Sequence, residues 1–246
     1  TGVQTCALPI FIFLQMLEHL FNPNNKRLEA ECFSLYRSEY PLISISQWNI
    51  RQLRTIHQRK GTIHYVGNGV NLEDFPISEK PKDGKVILLE SPEPTNLSKD
   101  VDRIATKAGM YFKNKGYTIK GFGLKRPIDN FFDEFIIAPN LHQLNRLYEE
   151  ATIMIKATKY DARSTSPLEA MTKGTVTVRG IIEGDDDLNE QNSYRTGYDL
   201  DKVIDATNYA LNEHSDRQKK AENALSYVQT YTWDYWMNKI NEILTA

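Results

Sequence analysis

Cysteine is nearly absent from this 246-residue chain, with Cys6 and Cys32 the only two. Two thiols cannot staple a small disulfide scaffold or supply a Cys-rich zinc site, and a reducing cytoplasm, at most the inner face of a membrane, suits such a chain best. Net charge is scarce too, at −2 from 30 basic and 32 acidic residues, so nothing favours nucleic acid or another polyanion as partner. Residues 7–17 are apolar, but Gln15 interrupts the run, Glu18 and His19 follow it, and no basic stretch precedes it. That excludes both a membrane span and a signal peptide. Internal repeats, low-complexity tracts, zinc-ligand spacings and nucleophile-elbow motifs are also missing. What remains, 40% apolar and 25% charged, is the composition of a soluble globular protein with length for one large domain or two modest ones.

The chain reads as alternating helices and strands. Residues 11–21 predict a helix stopped by Asn22-Pro23-Asn24-Asn25, and residues 26–39 a second one. A buried strand over 41–46 and a helix over 47–56, with Trp48, Ile50, Leu53 and Ile56 as its apolar side, precede a strand over 62–66 and a turn at Asn68-Gly69. Residues 76–84, rich in Pro, Lys and Asp, read as a linker. Beyond it come a strand over 85–90, a helix opening at Ser98 and closing at Gly116, strands over 117–123 and 134–138, and a helix with Leu141, Leu144, Leu147 and Tyr148 on one face. An amphipathic helix over 199–213 and a Trp-bearing one over 232–244 end the pattern.

The densest local grammar lies between Thr152 and Gly180. An apolar strand over 152–156 runs into a polar loop containing Asp161, Arg163, Ser164 and Thr165. Ser166 can cap a helix that has Pro167 at its first position and Gly174 at its end. A second buried strand follows over 175–178, completing one unit of a parallel α/β sheet. A helix start at the carboxyl end of such a sheet favours a phosphate. Asp161 and Glu169 flank that start with seven residues between them. Ser166-x-x-Glu169 is equally a capping box, in which Glu169 serves only its own helix.

An acid, seven residues, and an acid within Leu168-Glu169-Ala170-Met171 resembles the donor site of family 4 glycosyltransferases, which have the GT-B fold. Further words match in order: Ile43-Ser44-Ile45-Ser46, then Asn68-Gly69-Val70-Asn71, with Asn71 where the family has Asp. The resemblance covers residues 43–244. It implies an α/β protein whose C-terminal Rossmann-like parallel-sheet domain, over 76–229, binds the donor. Residues 11–75 would be the remnant of an N-terminal acceptor domain with its hinge, and 230–246 a helix returning toward it. Residues 1–10 resemble the translation of a sequencing adapter, so Cys6 is expected not to be natural and the reading frame to extend upstream.

The resemblance also implies roles. Glu169 would accept from the ribose hydroxyls of a nucleoside diphosphate sugar, Ser164, Thr165 and Ser166 would hold the diphosphate, and Asp161, the catalytic residue, would face and orient the transferred sugar. Leu141 would start the helix whose loop packs on the base. Lys99 matches a diphosphate-binding Lys, whereas Glu93 stands where the family has Arg. Arg163, Lys156 or Lys159 then supplies the missing cation, or diphosphate binding is weak. No metal and no cofactor are implied, and the acceptor would be a glycan or a lipid-linked glycan in polysaccharide or cell-envelope synthesis. Peripheral membrane association would run through the absent upstream part, without which little transfer is expected. Two rival readings are a nucleotide-sugar-binding pseudoenzyme or partner subunit, and a receiver-like signalling domain built on Asp185, Asp186 and Asp187.

Overall fold

A computed structural model describes residues 10–78, 80, 82, 84–91, 103–125, 127–184 and 188–245. The start of the chain forms a small parallel sheet. Strand β1 (Ile12–Leu14) pairs with β2 (Leu42–Ser44), which pairs with β3 (Ile63–Tyr65). Helix α1 (Lys26–Arg37), capped by Asn25, and α2 (Gln47–Thr55), capped by Ser46, are the connections.

Two expectations fail here. Residues 11–21 are no helix: β1 is followed by a single 3-10 turn, Glu18–Phe21. A short run such as Ile-Phe-Ile-Phe has no period that separates strand from helix, and pairing with β2 decides it. Ile56 lies past the end of α2 and is 63% exposed, while Asn49 is buried and donates to the Gln15 carbonyl at 3.1 Å.

The second sheet has six parallel strands: β4 (Val86–Glu90), β5 (Thr118–Gly123), β6 (Glu134–Ile137), β7 (Ile153–Asp161), β8 (Val176–Gly184) and β9 (Ser193–Thr196). Their spatial order is β6-β5-β4-β7-β8-β9. Counted from β4, that is 3-2-1-4-5-6, the doubly wound order in which connections diverge between the first and fourth strands. Helices α3 (Ile104–Asn114) and α6 (Leu200–Asn212) cover one face through Ala108, Phe112, Val203 and Leu211. Helices α4 (Leu141–Glu150), α5 (Thr165–Met171) and α7 (His214–Thr230) cover the other through Leu147, Tyr148, Leu168, Met171 and Val228. The opening of α3 expected at Ser98 lies outside the described residues, as do Glu93, Lys99 and Asp185 to Asp187.

Strands β7 and β8 run well beyond the expected 152–156 and 175–178. Their registers continue from Ile153↔Val176 to Asp161↔Gly184. Each extension satisfies the other's backbone groups, which is what lets residues as polar as Lys156, Thr158 and Asp161 stay in a strand. Asp161 is therefore a strand-end residue, not a loop residue.

Beyond α7 the chain crosses back. Val70 donates its N–H to the Tyr231 carbonyl at 3.0 Å and accepts from Trp233 N–H at 3.0 Å. Helix α8 (Trp233–Thr245) then lays Trp236, Ile240 and Ile243 on the core of the small sheet. No helix among the described residues is long and apolar enough to cross a membrane.

Candidate functional site

The six-stranded sheet parts at its switch point, between β4 and β7, and the polar residues gather there. Leu88 and Leu89 of β4 stand beside Met154 and Ile155 of β7. One step on, Glu90 meets Lys156. Side chains alternate along a strand, so these two share the face of Leu88 and Met154, under α4 and α5. The Lys156 ammonium donates to Glu90 Oε2 and to Ser166 Oγ, the latter at 2.7 Å. Ser166 Oγ also donates to Glu90 Oε2. Lys156 is only 5% exposed.

Beside this trio lies Glu169, half-buried on α5, whose Oε2 accepts from the Tyr148 hydroxyl at 2.9 Å. Burial raises the Glu169 carboxyl above its ordinary value, with Glu90 pushing the same way and Tyr148 and Lys156 opposing. The Tyr148 phenol is raised well above its ordinary range, first by burial and then by Glu169. Neither Ser166 nor Glu169 forms a capping box: α5 starts at Thr165, Ser164 is its N-cap without a side-chain bond, and both expected capping groups are taken by other partners.

Asp161 ends β7 and lies 3.8 Å from Arg179 Nη2. Arg179 is fully buried on β8 and donates from Nη1 to the Lys156 carbonyl at 3.3 Å. A cavity of about 260 Å3 between the two sheets is lined by Glu90, Lys156, Asp161, Arg163, Ser164, Thr165 and Ser166 on one side. Gln15, Met16, Ile45 and Asn68 close the other side. Thr165 is exposed, and Ser164 and Ser166 are buried. Glu169 stands beside this lining, coupled to it through Glu90 and Lys156.

Arg163, one of the expected diphosphate cations, lines the cavity and is also bonded away from it. Its guanidinium donates to Tyr65 Oη at 2.8 Å and to Tyr227 Oη at 3.0 Å, and lies 5.3 Å from the Tyr231 ring centre. Asn68 donates to the Arg163 carbonyl at 3.0 Å. Arg163 thus ties the loop after β7 to the crossing between the two sheets. Leu141, 42% exposed, opens α4 behind a capping box of Asn140 and Gln143.

Of the residues the sequence pattern singles out, Asp161, Ser164, Thr165 and Ser166 line one cavity and Glu169 stands beside it. The pattern gives no role to Glu90, Tyr148 or Arg179. Arg179, a charge following an apolar run, was their only visible signal; Glu90 and Tyr148 acquire theirs from strand register and helix packing.

No family model matches the sequence, and no curated protein does. Solved structures do match in fold. A sucrose-phosphate synthase from Thermosynechococcus elongatus is 14% identical with a TM-score of 0.75, over 95% of this chain and 66% of that one. WaaG, a glycosyltransferase involved in lipopolysaccharide biosynthesis, is 14% identical with a TM-score of 0.75, over 96% and 75%. HepE from Anabaena in complex with UDP-glucose is 13% identical with a TM-score of 0.74, over 96% and 72%. This chain spans 66% of the synthase, under two thirds of its length. Taken with the strand order and the paired sheets, the chain has the GT-B glycosyltransferase fold.

Proposed function

We propose that this chain carries the donor site of a glycosyltransferase that moves a sugar from a nucleoside diphosphate sugar to a glycan or lipid-linked acceptor. One observation carries the reading: Lys156, Ser166, Glu90 and Glu169 cluster where the β4 and β7 ends part, the place at which open α/β sheets take ligands. A neighbour of the same fold bound to UDP-glucose is consistent with that class of donor.

In this reading the diphosphate accepts from Ser166 Oγ and from the Lys156 ammonium, charge-assisted bonds of the kind that stabilise a leaving diphosphate. Glu169, as carboxylate, accepts from ribose hydroxyls, while Tyr148 fixes its rotamer. Asp161, oriented by Arg179, faces the sugar at the cavity. Transfer with retention, without a metal or other cofactor, in polysaccharide or cell-envelope synthesis is the finer form of the proposal.

Calorimetry with UDP-glucose and other nucleotide sugars tests it. Lys156→Met and Glu169→Ala should each weaken binding on the order of tenfold, the cost of a lost charged hydrogen bond. Tyr148→Phe should cost less. No binding by any nucleotide sugar would overturn the reading. Binding without transfer, with acceptor present, would favour the pseudoenzyme instead, which the engagement of Arg163 by Tyr65 and Tyr227 supports.

A further inference from the structure

The cavity at the switch point already contains an anion of the protein's own. Glu90 takes the hydrogen bond of Ser166 and the charge of Lys156, the same two donors that a phosphate would need. Of the two cations lining the cavity, Arg163 is held by Tyr65 and Tyr227. Helix α5, with seven residues, develops little dipole to attract an anion. Lys156, bonded to Ser166 and to Glu90, is thus the cation whose hydrogen bonds a phosphate would have to take over, and Glu90 holds them.

We propose that Glu90 is a built-in competitor of the donor's diphosphate: its carboxylate occupies the phosphate position and must leave Lys156 and Ser166 before the diphosphate can bind. This rests on the donor-site reading above. Three further observations support it. The cavity, about 260 Å3, is smaller than the roughly 300–1,000 Å3 of ligand pockets, which leaves little room for a diphosphate beside Glu90. Within the Glu90–Lys156 pair, Glu90 is the partner with more room to move, since its side chain is 26% exposed against 6% for Lys156. Glu90 and Glu169 also already share Lys156, and burial together with Glu90 raises the Glu169 carboxyl, so a third anion is repelled until one carboxylate yields.

The consequence is a site whose affinity for the phosphate moiety is set by Glu90, with selectivity for ligands that bring enough charge and further contacts to displace it. A nucleoside, lacking phosphates, has no quarrel with Glu90. A diphosphate competes with it directly.

Calorimetric titrations of UDP, GDP, uridine and inorganic pyrophosphate into the whole chain test this, using wild type, Glu90→Gln and Glu90→Asp. Glu90→Gln should bind the diphosphates at least about tenfold more tightly, with uridine unchanged. Glu90→Asp keeps the counter-charge of Lys156, so it remains folded even where the neutral variant does not, and its shorter side chain should give a smaller tightening. Diphosphate binding by wild type that is unchanged or weaker in both variants would overturn Glu90 as competitor while leaving the donor site intact. Equal tightening of uridine would overturn it as well, since that marks a general opening of the cavity. Diphosphates bound by no variant would overturn the donor-site reading itself and this inference with it.

Discussion

At the residue scale, Glu169 concentrates the argument. Its folded value lies above the ordinary 4.5 because it is buried, with Glu90 adding to the rise. The folded state therefore keeps a proton that the unfolded chain has released, and the stability from this group falls as pH rises from 4.5 through the folded value. Glu169→Gln should flatten that part of the pH–stability curve in urea melts; an unchanged slope would place the carboxyl in water. His57 gives the opposite sign. Burial, with His19 and Arg37 opposing its charge, lowers it to about 4 from 6.5, so stability is lost as pH falls between those values. The fall should shrink in His57→Phe. Sequence reading reached Asp161, Ser166 and Glu169 because their types and spacing are local. It had no access to Glu90, whose role depends on meeting a lysine 66 residues away, nor to the tyrosines 98 and 64 residues away that bond Arg163.

At the scale of elements, the crossing between the sheets is the point of least tolerance. A Cβ on Gly69 would stand 2.4 Å from the Thr232 carbonyl oxygen and 2.8 Å from the Trp233 amide nitrogen, both backbone atoms. Gly69→Ala must therefore push α8 away from Val70, at a cost of about 1–3 kcal/mol. Thermal melts would show this, and hydrogen exchange should place the loosening in α8 and the small sheet. An unaltered melting point would mean that the two segments do not meet. The amphipathic elements α4, α6 and α8 were legible from their apolar spacing. Strand β9, four residues of Ser-Tyr-Arg-Thr, carries no such pattern and exists because β8 offers it an edge. Helix α7 buries only Arg217, Ala224 and Val228, too few apolar positions to mark 17 residues from sequence. The tails of β7 and β8 were invisible for a related reason, since each is a strand only beside the other.

For the whole molecule, the order β6-β5-β4-β7-β8-β9 fixes where a ligand can sit, and a ligand there should stabilise the fold by mass action. At a hundred times its dissociation constant a nucleotide sugar should add about 2.7 kcal/mol, a rise of roughly 5–10 °C in melting temperature for a chain of this size. Lys156→Met, binding about tenfold more weakly, should cut that rise to about half at the same ligand concentration. The most direct measurement is a crystal structure with a nucleoside diphosphate bound. It should show the diphosphate on Ser166 Oγ and Lys156 Nζ, the ribose hydroxyls on Glu169, and Glu90 turned away. A nucleotide seated instead in the basic cavity of about 640 Å3 beside Lys173, His214 and Arg217, with the Glu90–Lys156 pair undisturbed, would contradict the account.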